Sequence, residues 1–319
     1  PLLALRDVAA AFSILTLLLA TLFAARVGGR ASALGVAALM AFAPTQLHMS
    51  QHALADGFFT FWATLALWLL WENLRAPRRR GWLVALGCAL IAIVLTKENA
   101  FFALVAFGVI LVSNQWLNFG KVTRELVATL ILGPVVGCLI LALLSGGVLE
   151  LIATYRLSVS MNYQLKYAIL TGDGPWYRYL VDLLLVNPLV LLLAIGRTFT
   201  LTKDRKPEWF LLIFIAASYA IMCNIKYGLN LRYANMWDFP LCFCAFSELV
   251  ALATVVSLRW RTAVLSLLMA TISLLELHNY NTLAVKYPLY ELVTPDLMRA
   301  LSILKTPSSP EDLLPPHMK

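Results

Sequence analysis

His48-Met-Ser-Gln-His-Ala-Leu-Ala-Asp56-Gly-Phe-Phe59 is a short polar break between two strongly apolar runs, 31–48 and 54–73. Asp56 stands at its far edge, next to side chains that belong in hydrocarbon. An aspartate at the centre of a membrane helix costs roughly 3 kcal/mol, and less near an end. Two readings follow: Asp56 caps the helix that begins at Gly57, or the chain presents this carboxylate to a substrate at one face of a membrane. His48 and His52 are four residues apart and share a face if the break is helical. With Asp56 they resemble a metal site in composition, and Asp56 with His52 is the candidate pair for a divalent metal ion. The competing reading makes these histidines interfacial polar residues. No motif demands a cofactor.

Working outward, the chain of 319 residues is 61% hydrophobic and 13% charged, with a mean hydropathy of +0.80. Soluble domains carry about 25% charged residues, so the composition is that of an integral membrane protein. The net charge of +8 does not indicate nucleic-acid binding, because the basic residues lie in short loops between apolar runs, where they set topology. Cys88, Cys138, Cys242 and Cys244 fall inside apolar runs and read as small core residues without disulfide or metal spacing.

Apolar runs long enough to cross or nearly cross a bilayer fall near 8–25, 31–48, 54–73, 82–96, 100–117, 126–146, 178–196, 209–224, 237–257 and 262–278. The expected fold is therefore all-α and polytopic, with about ten transmembrane helices. Alternate loops hold Arg26 and Arg30; Arg75, Arg78, Arg79 and Arg80; Lys121 and Arg124; Arg197, Lys203, Arg205 and Lys206; Arg259 and Arg261. That side is cytoplasmic by the positive-inside rule. The opposite, outward face carries the unusual chemistry: the His48–Asp56 break, Lys97-Glu98-Asn99, a segment at 147–177, and Lys226 to Asp238. The 147–177 segment has amphipathic character and then Trp176 and Tyr177, which suits an interfacial helical element serving as a lid. The expected division is a membrane domain over 1–280 and an outward, Pro-rich tail over 281–319.

Three outward residues besides Asp56 can serve a charged ligand. Lys97 stands where one apolar run ends and the next begins, a place suited to holding a phosphate, or to snorkelling or pairing with Glu98. Arg232, beside Tyr233 and just before an apolar run, can grip a phosphate through two parallel hydrogen bonds, or anchor the interface. Arg178 opens a span after Trp176 and Tyr177. Glu248, within an apolar run, should face the bundle interior and have a partner.

Taken together, Ser50-Gln-His-Ala-Leu-Ala-Asp56 before an aromatic-rich run, Leu95-Thr-Lys97-Glu98 ending a run, Gly174-Pro-Trp-Tyr-Arg-Tyr179 opening one, and Leu231-Arg232-Tyr233 before Pro240 resemble membrane glycosyltransferases of the GT-C type. The closest group is family 39, the dolichyl-phosphate-mannose-protein mannosyltransferase-like enzymes, which includes the lipid A aminoarabinose transferases. The resemblance implies inverting transfer of a sugar from a polyprenyl-phosphate donor to a protein, lipid or glycan hydroxyl at the outer or lumenal face. It makes Asp56 the family's second outward acidic residue and the catalytic candidate of this chain. Lys97, Arg232, Tyr233 and Arg178 become the residues toward the lipid phosphate. It also places the principal catalytic carboxylate in a first outward loop, with a first span, that this sequence does not contain. The expected location is a bacterial inner membrane with a periplasmic or extracellular active face, the endoplasmic reticulum being the alternative. The alternative function is a non-enzymatic transporter or flippase for a lipid-linked or anionic solute, using the same basic residues to bind it.

Overall fold

The computed structural model describes residues 2–52, 54–165, 172, 174–225 and 229–286. Among them the chain is helical throughout, in twelve α-helices, a 3-10 segment and a closing π-helical turn. The helices are α1 (Leu2–Phe42), α2 (Pro44–Gln51), α3 (Ala55–Arg75), α4 (Arg80–Thr96), α5 (Ala100–Leu117), α6 (Arg124–Leu144) and α7 (Val148–Gln164). After these come α8 (Arg178–Val186), α9 (Pro188–Thr200) and α10 (Lys206–Met222). The 3-10 segment Leu231–Trp237 leads into α11 (Asp238–Ala253) and α12 (Leu258–Tyr280), which ends in the turn Asn281–Lys286. Among the described residues five stretches are long and apolar enough to cross a membrane: Ala4–Phe42, Ala100–Leu117, Arg124–Leu144, Leu231–Ala253 and Leu258–Lys286. Arg80–Thr96 and Pro188–Thr200 are shorter apolar helices.

α1 spans the first two apolar runs and is broken at Gly29, whose φ of 83° and ψ of −175° lie outside any helix and in a region essentially reserved for glycine. Its neighbours show that the chain turns back there. Phe23 packs against Phe239 at 5.0 Å between ring centroids, and a Cβ on Gly28 would meet Phe243. Gly35 then lies against Phe246, and Thr45 and Gln46 reach Asp238. The first arm therefore descends α11 and the second climbs it again. The run at 178–196 also differs from the expected single span. Asn187, with φ −141° and ψ 58°, ends α8, and Pro188 opens α9, because a proline disfavours helical backbone in the residue before it.

Close helix packing replaces hydrophobic burial as the organising force inside a membrane. On α6, Gly133 and Gly137 lie one turn apart and meet α4 directly: Cβ atoms there would approach Leu90 Cβ to 3.0 Å and Val94 Cβ to 2.9 Å. The opposite side of α6 exposes Ile131, Leu132, Val135, Leu139 and Leu143, the signature of a face toward lipid. The interior is aromatic, with Phe23, Phe59, Phe107, Phe210, Phe214, Phe239 and Trp237 fully buried.

Polar contacts gather at two levels. α3 runs between them, and from Asp56 to Glu72 it rises about 24 Å. At the Glu72 level Arg26 Nε donates to Glu72 Oε1 at 2.8 Å, and the Lys121 N–H donates to the Leu74 carbonyl at 2.8 Å. Lys206 Nζ donates to the Asn118 carbonyl at 2.7 Å. These contacts join loops that the charge pattern assigns to one side. Arg197 belongs to the same group of loops, and it answers the question of what Glu248 meets. Its guanidinium donates to Glu208 Oε1 at 3.0 Å and stands 3.8 Å from Glu248 Oε2, while Thr200 Oγ1 donates to Glu248 at 2.9 Å. All three charged side chains are less than a tenth exposed. Arg197→Ala strands two buried carboxylates, and the expected loss is about 3–5 kcal/mol, visible as a lowered Tm of the detergent-solubilised protein.

Lys226, Tyr227 and Gly228, residues 166–171 and 173 of the expected lid, and the tail from 287 to 319 lie outside the described residues. Within the 147–177 segment, α7 packs against α6 and exposes Leu149, Tyr155 and Leu157. The free cysteines Cys88, Cys138, Cys223, Cys242 and Cys244 form no disulfide.

Candidate functional site

The break that opened the sequence reading folds as a polar helix. Pro44 starts α2 at a position where its missing N–H costs nothing, and Thr45, Gln46, His48 and Met49 are buried. The helix ends at Gln51, and α3 begins after Leu54, which is extended (φ −114°, ψ 150°) and makes no side-chain cap. Asp56 is therefore inside the first turn of α3 rather than capping it. Its carboxylate, in a residue 3% exposed, accepts a hydrogen bond from Lys97 Nζ, and this partner removes the capping role that the sequence allows.

Lys97 closes α4, with its own N–H bonded to the Ile93 carbonyl. Its ammonium lies 4.2 Å from the centroid of the Tyr233 ring, so a cation rests on the negative face of an aromatic ring. Arg232 places its guanidinium carbon 5.4 Å from the same ring. Burial lowers the proton affinity of Lys97 below the ordinary lysine range; Asp56 raises it again, and the nearby positive charge of Arg232 lowers it. Lys97 thus pairs with Asp56 rather than snorkelling or pairing with Glu98, and three segments of sequence, around 56, 97 and 233, converge on one point.

Tyr233 and Arg232 are positioned by the 3-10 segment. Asn230 caps it through a hydrogen bond from the Arg232 N–H to Asn230 Oδ1 at 3.0 Å, and Trp237 anchors its end, with Nε1 donating to Ser218 Oγ at 2.7 Å. Tyr179, Tyr219 and Trp237 form an aromatic support beneath it, with centroids 5.5 to 6.4 Å apart. Arg178 opens α8 and is buried beside Asp182, its Nε 3.6 Å from Asp182 Oδ2. Its neighbour Tyr179 packs on Trp237 at the end of the 3-10 segment, and no contact of Arg178 itself with Lys97 or Tyr233 is seen among the described residues. The Leu229 N–H donates to the Gly172 carbonyl at 3.1 Å, which ties the far end of the 147–177 segment to the stretch bearing Arg232.

The histidines do share a face of α2, their rings 4.1 Å apart. His52 Nδ1 lies 2.8 Å from the His48 carbonyl, and Asp56 is engaged by Lys97. Among the described residues no group of three or more His, Cys, Asp or Glu side chains could hold a metal ion, so His52 and Asp56 gain no third ligand.

Sequence reasoning passed over Asp182, Glu208, Asp238 and Glu276. Asp182, Asp238 and Glu276 are carboxylates within apolar runs, which alone marks residues that must find partners, and Glu208 stands just before one.

The first 154 residues match the family model described as dolichyl-phosphate-mannose-protein mannosyltransferase. Two solved structures share the fold. One is ArnT from Cupriavidus metallidurans bound to undecaprenyl phosphate, at 14% identity and a TM-score of 0.51, covering 88% of this chain and 57% of that one. The other is ArnT from Cupriavidus metallidurans in the apo state, at 15% identity and a TM-score of 0.50, covering 78% and 48%. The chain spans about half the length of these ArnT structures. No curated protein sequence matches it. The family-model match agrees with the family-39-like resemblance over residues 1–154, and the two structures share the all-helical, multi-pass membrane fold.

Proposed function

We propose that this chain, GT-C in fold and mannosyltransferase-like over its first half, serves the transfer of a sugar from a polyprenyl-phosphate donor to a protein, lipid or glycan hydroxyl. The reaction takes place at the outer or lumenal face of a membrane, a bacterial inner membrane in our reading. One observation carries the proposal: the Lys97 ammonium, held between the Asp56 carboxylate and the Tyr233 ring, with Arg232 on that same ring. Asp56, Lys97 and Arg232 together bear one net positive charge, which suits the single negative charge of a sugar–phosphate–lipid diester. The likeness to a structure bound to undecaprenyl phosphate supports this choice of ligand.

In the transfer the acceptor oxygen bonds to the anomeric carbon while the bond from that carbon to the phosphate oxygen breaks. The bonding pair leaves with the phosphate, which passes from a monoanionic diester toward a dianionic monoester. Lys97 and Arg232 stand where that growing charge is met, so they stabilise the transition state more than the ground state. Asp56, tied to Lys97, acts as a positioning residue for the ammonium. The acceptor proton goes to a carboxylate, and the family resemblance assigns that role to a first outward loop.

The test uses the full-length protein in nanodiscs, with undecaprenyl phosphate as the probe. Arg232→Ala weakens its binding about tenfold, the loss of one charge-assisted hydrogen bond. Undiminished binding and transfer in this variant and in Asp56→Asn would sink the assignment. Variants that keep transfer but lose movement of a lipid-linked solute across vesicles would instead favour the transporter reading.

A further inference from the structure

α4 and α6 lie side by side and run in the same direction. Gly87 faces Thr129, Leu90 faces Gly133 and Val94 faces Gly137, a nearly constant register that carries back to the first residues of the two helices, Arg80 and Arg124. One side of the seam closes on the bundle, where Leu86, Leu90 and Leu126 are buried. The other side holds a groove of about 420 Å³, lined by Leu83, Val84, Gly87, Ala128, Leu132 and Val136. Val84, Leu132 and Val136 are exposed, so the groove opens away from the protein interior. Thr129 also lines it, but its hydroxyl donates to the Glu125 carbonyl at 2.9 Å and its methyl is the group that faces Gly87.

The apolar groove ends at a basic mouth. Arg78, Arg79 and Arg80 lead into α4, and Lys121 and Arg124 lead into α6; all are exposed. Glu125 is the one carboxylate in either stretch. Because the helices are parallel, both N-termini lie at this end and add partial positive charge, and α4 starts without a side-chain cap on its open N–H groups. The loop charges assign this end to the cytoplasm. From Glu125 to Val136 the groove follows α6 for about 16 Å, against a hydrocarbon core of about 30 Å, so it has the depth of one leaflet. A soluble anion would satisfy the mouth alone, and an uncharged lipid the groove alone. A second copy related by a twofold axis along the membrane normal would bring the same cations face to face.

We propose that this groove seats one anionic phospholipid of the cytoplasmic leaflet, with an acyl chain along α4 and α6 and its phosphate at Arg80 and Arg124. The lipid bridges the starts of the two helices, so its binding favours the folded state. The seat is separate from the residues assigned to sugar transfer: Lys97 follows the opposite end of α4, about 25 Å along the helix axis.

The test uses native mass spectrometry of the purified full-length protein, with phosphatidylglycerol and phosphatidylcholine of identical acyl chains as probes. One phosphatidylglycerol is retained in preference to phosphatidylcholine. Arg80→Gln and Arg124→Gln each weaken its retention about fivefold, and together they remove the preference. Gly87→Leu weakens retention of both lipids. A Cβ there meets Thr129 at 3.5 Å, an ordinary contact, so the longer side chain extends into the groove without parting the helices. A phosphatidylglycerol with a photo-reactive group on its acyl chain labels peptides of α4 and α6. Equal retention of the two lipids by the wild type would overturn the proposal, as would a preference that survives the double arginine variant or labels confined to other helices. Displacement of phosphatidylglycerol by an equal amount of undecaprenyl phosphate would also overturn it, by making the groove part of the donor's route. A dimer that dissociates in Gly87→Leu would do the same, by making the occupant a second copy.

Discussion

Lys97→Ala lowers sugar transfer by the full-length protein about 100- to 1,000-fold in kcat, with a much smaller change in KM. The asymmetry follows from the chemistry proposed for the site. The donor phosphodiester carries one negative charge before the reaction and its phosphate carries two afterwards, so the Lys97 ammonium is worth most at the transition state. Removing it also leaves the buried Asp56 carboxylate without its cation, which lowers stability on its own account. The double variant Asp56→Asn, Lys97→Met separates the two effects: it recovers folding and remains inactive. The pH dependence gives an independent check. Burial lowers the Lys97 ammonium, and Arg232 lowers it further against the pull of Asp56, so activity declines on the alkaline side below the ordinary lysine value of about 10.4. Lys97→Arg retains part of the activity and removes that alkaline limb, because a guanidinium does not titrate there. Transfer by Lys97→Ala at the wild-type rate would remove this residue from the site.

Gly120→Ala costs about 2–4 kcal/mol, although it adds a single methyl group to a loop. The connection after α5 is drawn tight. Asn118 takes the left-handed conformation (φ 52°), and the Asn114 side chain bonds Gly120 twice, accepting from its N–H and donating to its carbonyl, both at 3.0 Å. This presses Gly120 onto the end of α3, where a Cβ would lie 2.2 Å from the Leu74 carbonyl oxygen and 2.5 Å from its carbon. The obstacle is backbone, and the same carbonyl already accepts the Lys121 N–H, so accommodation means parting α3 from the α5–α6 connection. Gly81→Ala is the control, since a Cβ there meets nothing within 4 Å and the helix gains propensity. Equal Tm values for the two variants would contradict the argument.

The helices were legible because hydrocarbon imposes a length: the run at 100–117 is α5 (Ala100–Leu117), and those near 82–96 and 126–146 differ from α4 and α6 by a residue or two. Pro188, which splits the run at 178–196, was also in plain sight and was outweighed by the leucines around it. Asp56, Lys97, Arg232 and Tyr233 were each recognisable as polar residues at the ends of apolar runs. Their convergence was not, because pairing across 41 residues, as for Asp56 and Lys97, or across 193, as for Thr45 and Asp238, is a property of the packing and leaves no local pattern. The capping reading of Asp56 failed for the same reason: a carboxylate near a helix start looks alike whether a backbone N–H or a distant ammonium satisfies it.

The break at Gly29 leaves the second arm of α1 only thirteen residues before Ala43 bends the chain. Those residues rise about 20 Å, against a hydrocarbon core of about 30 Å. The polar helix α2, mostly buried, completes the crossing and is tolerated at that depth because protein, not lipid, surrounds it. Its far end leads into Asp56. If the reactant is the polyprenyl-phosphate donor proposed above, it shares the bilayer with that end of α2, and its supply to Lys97 is set by its density per area of lipid rather than by its concentration in water.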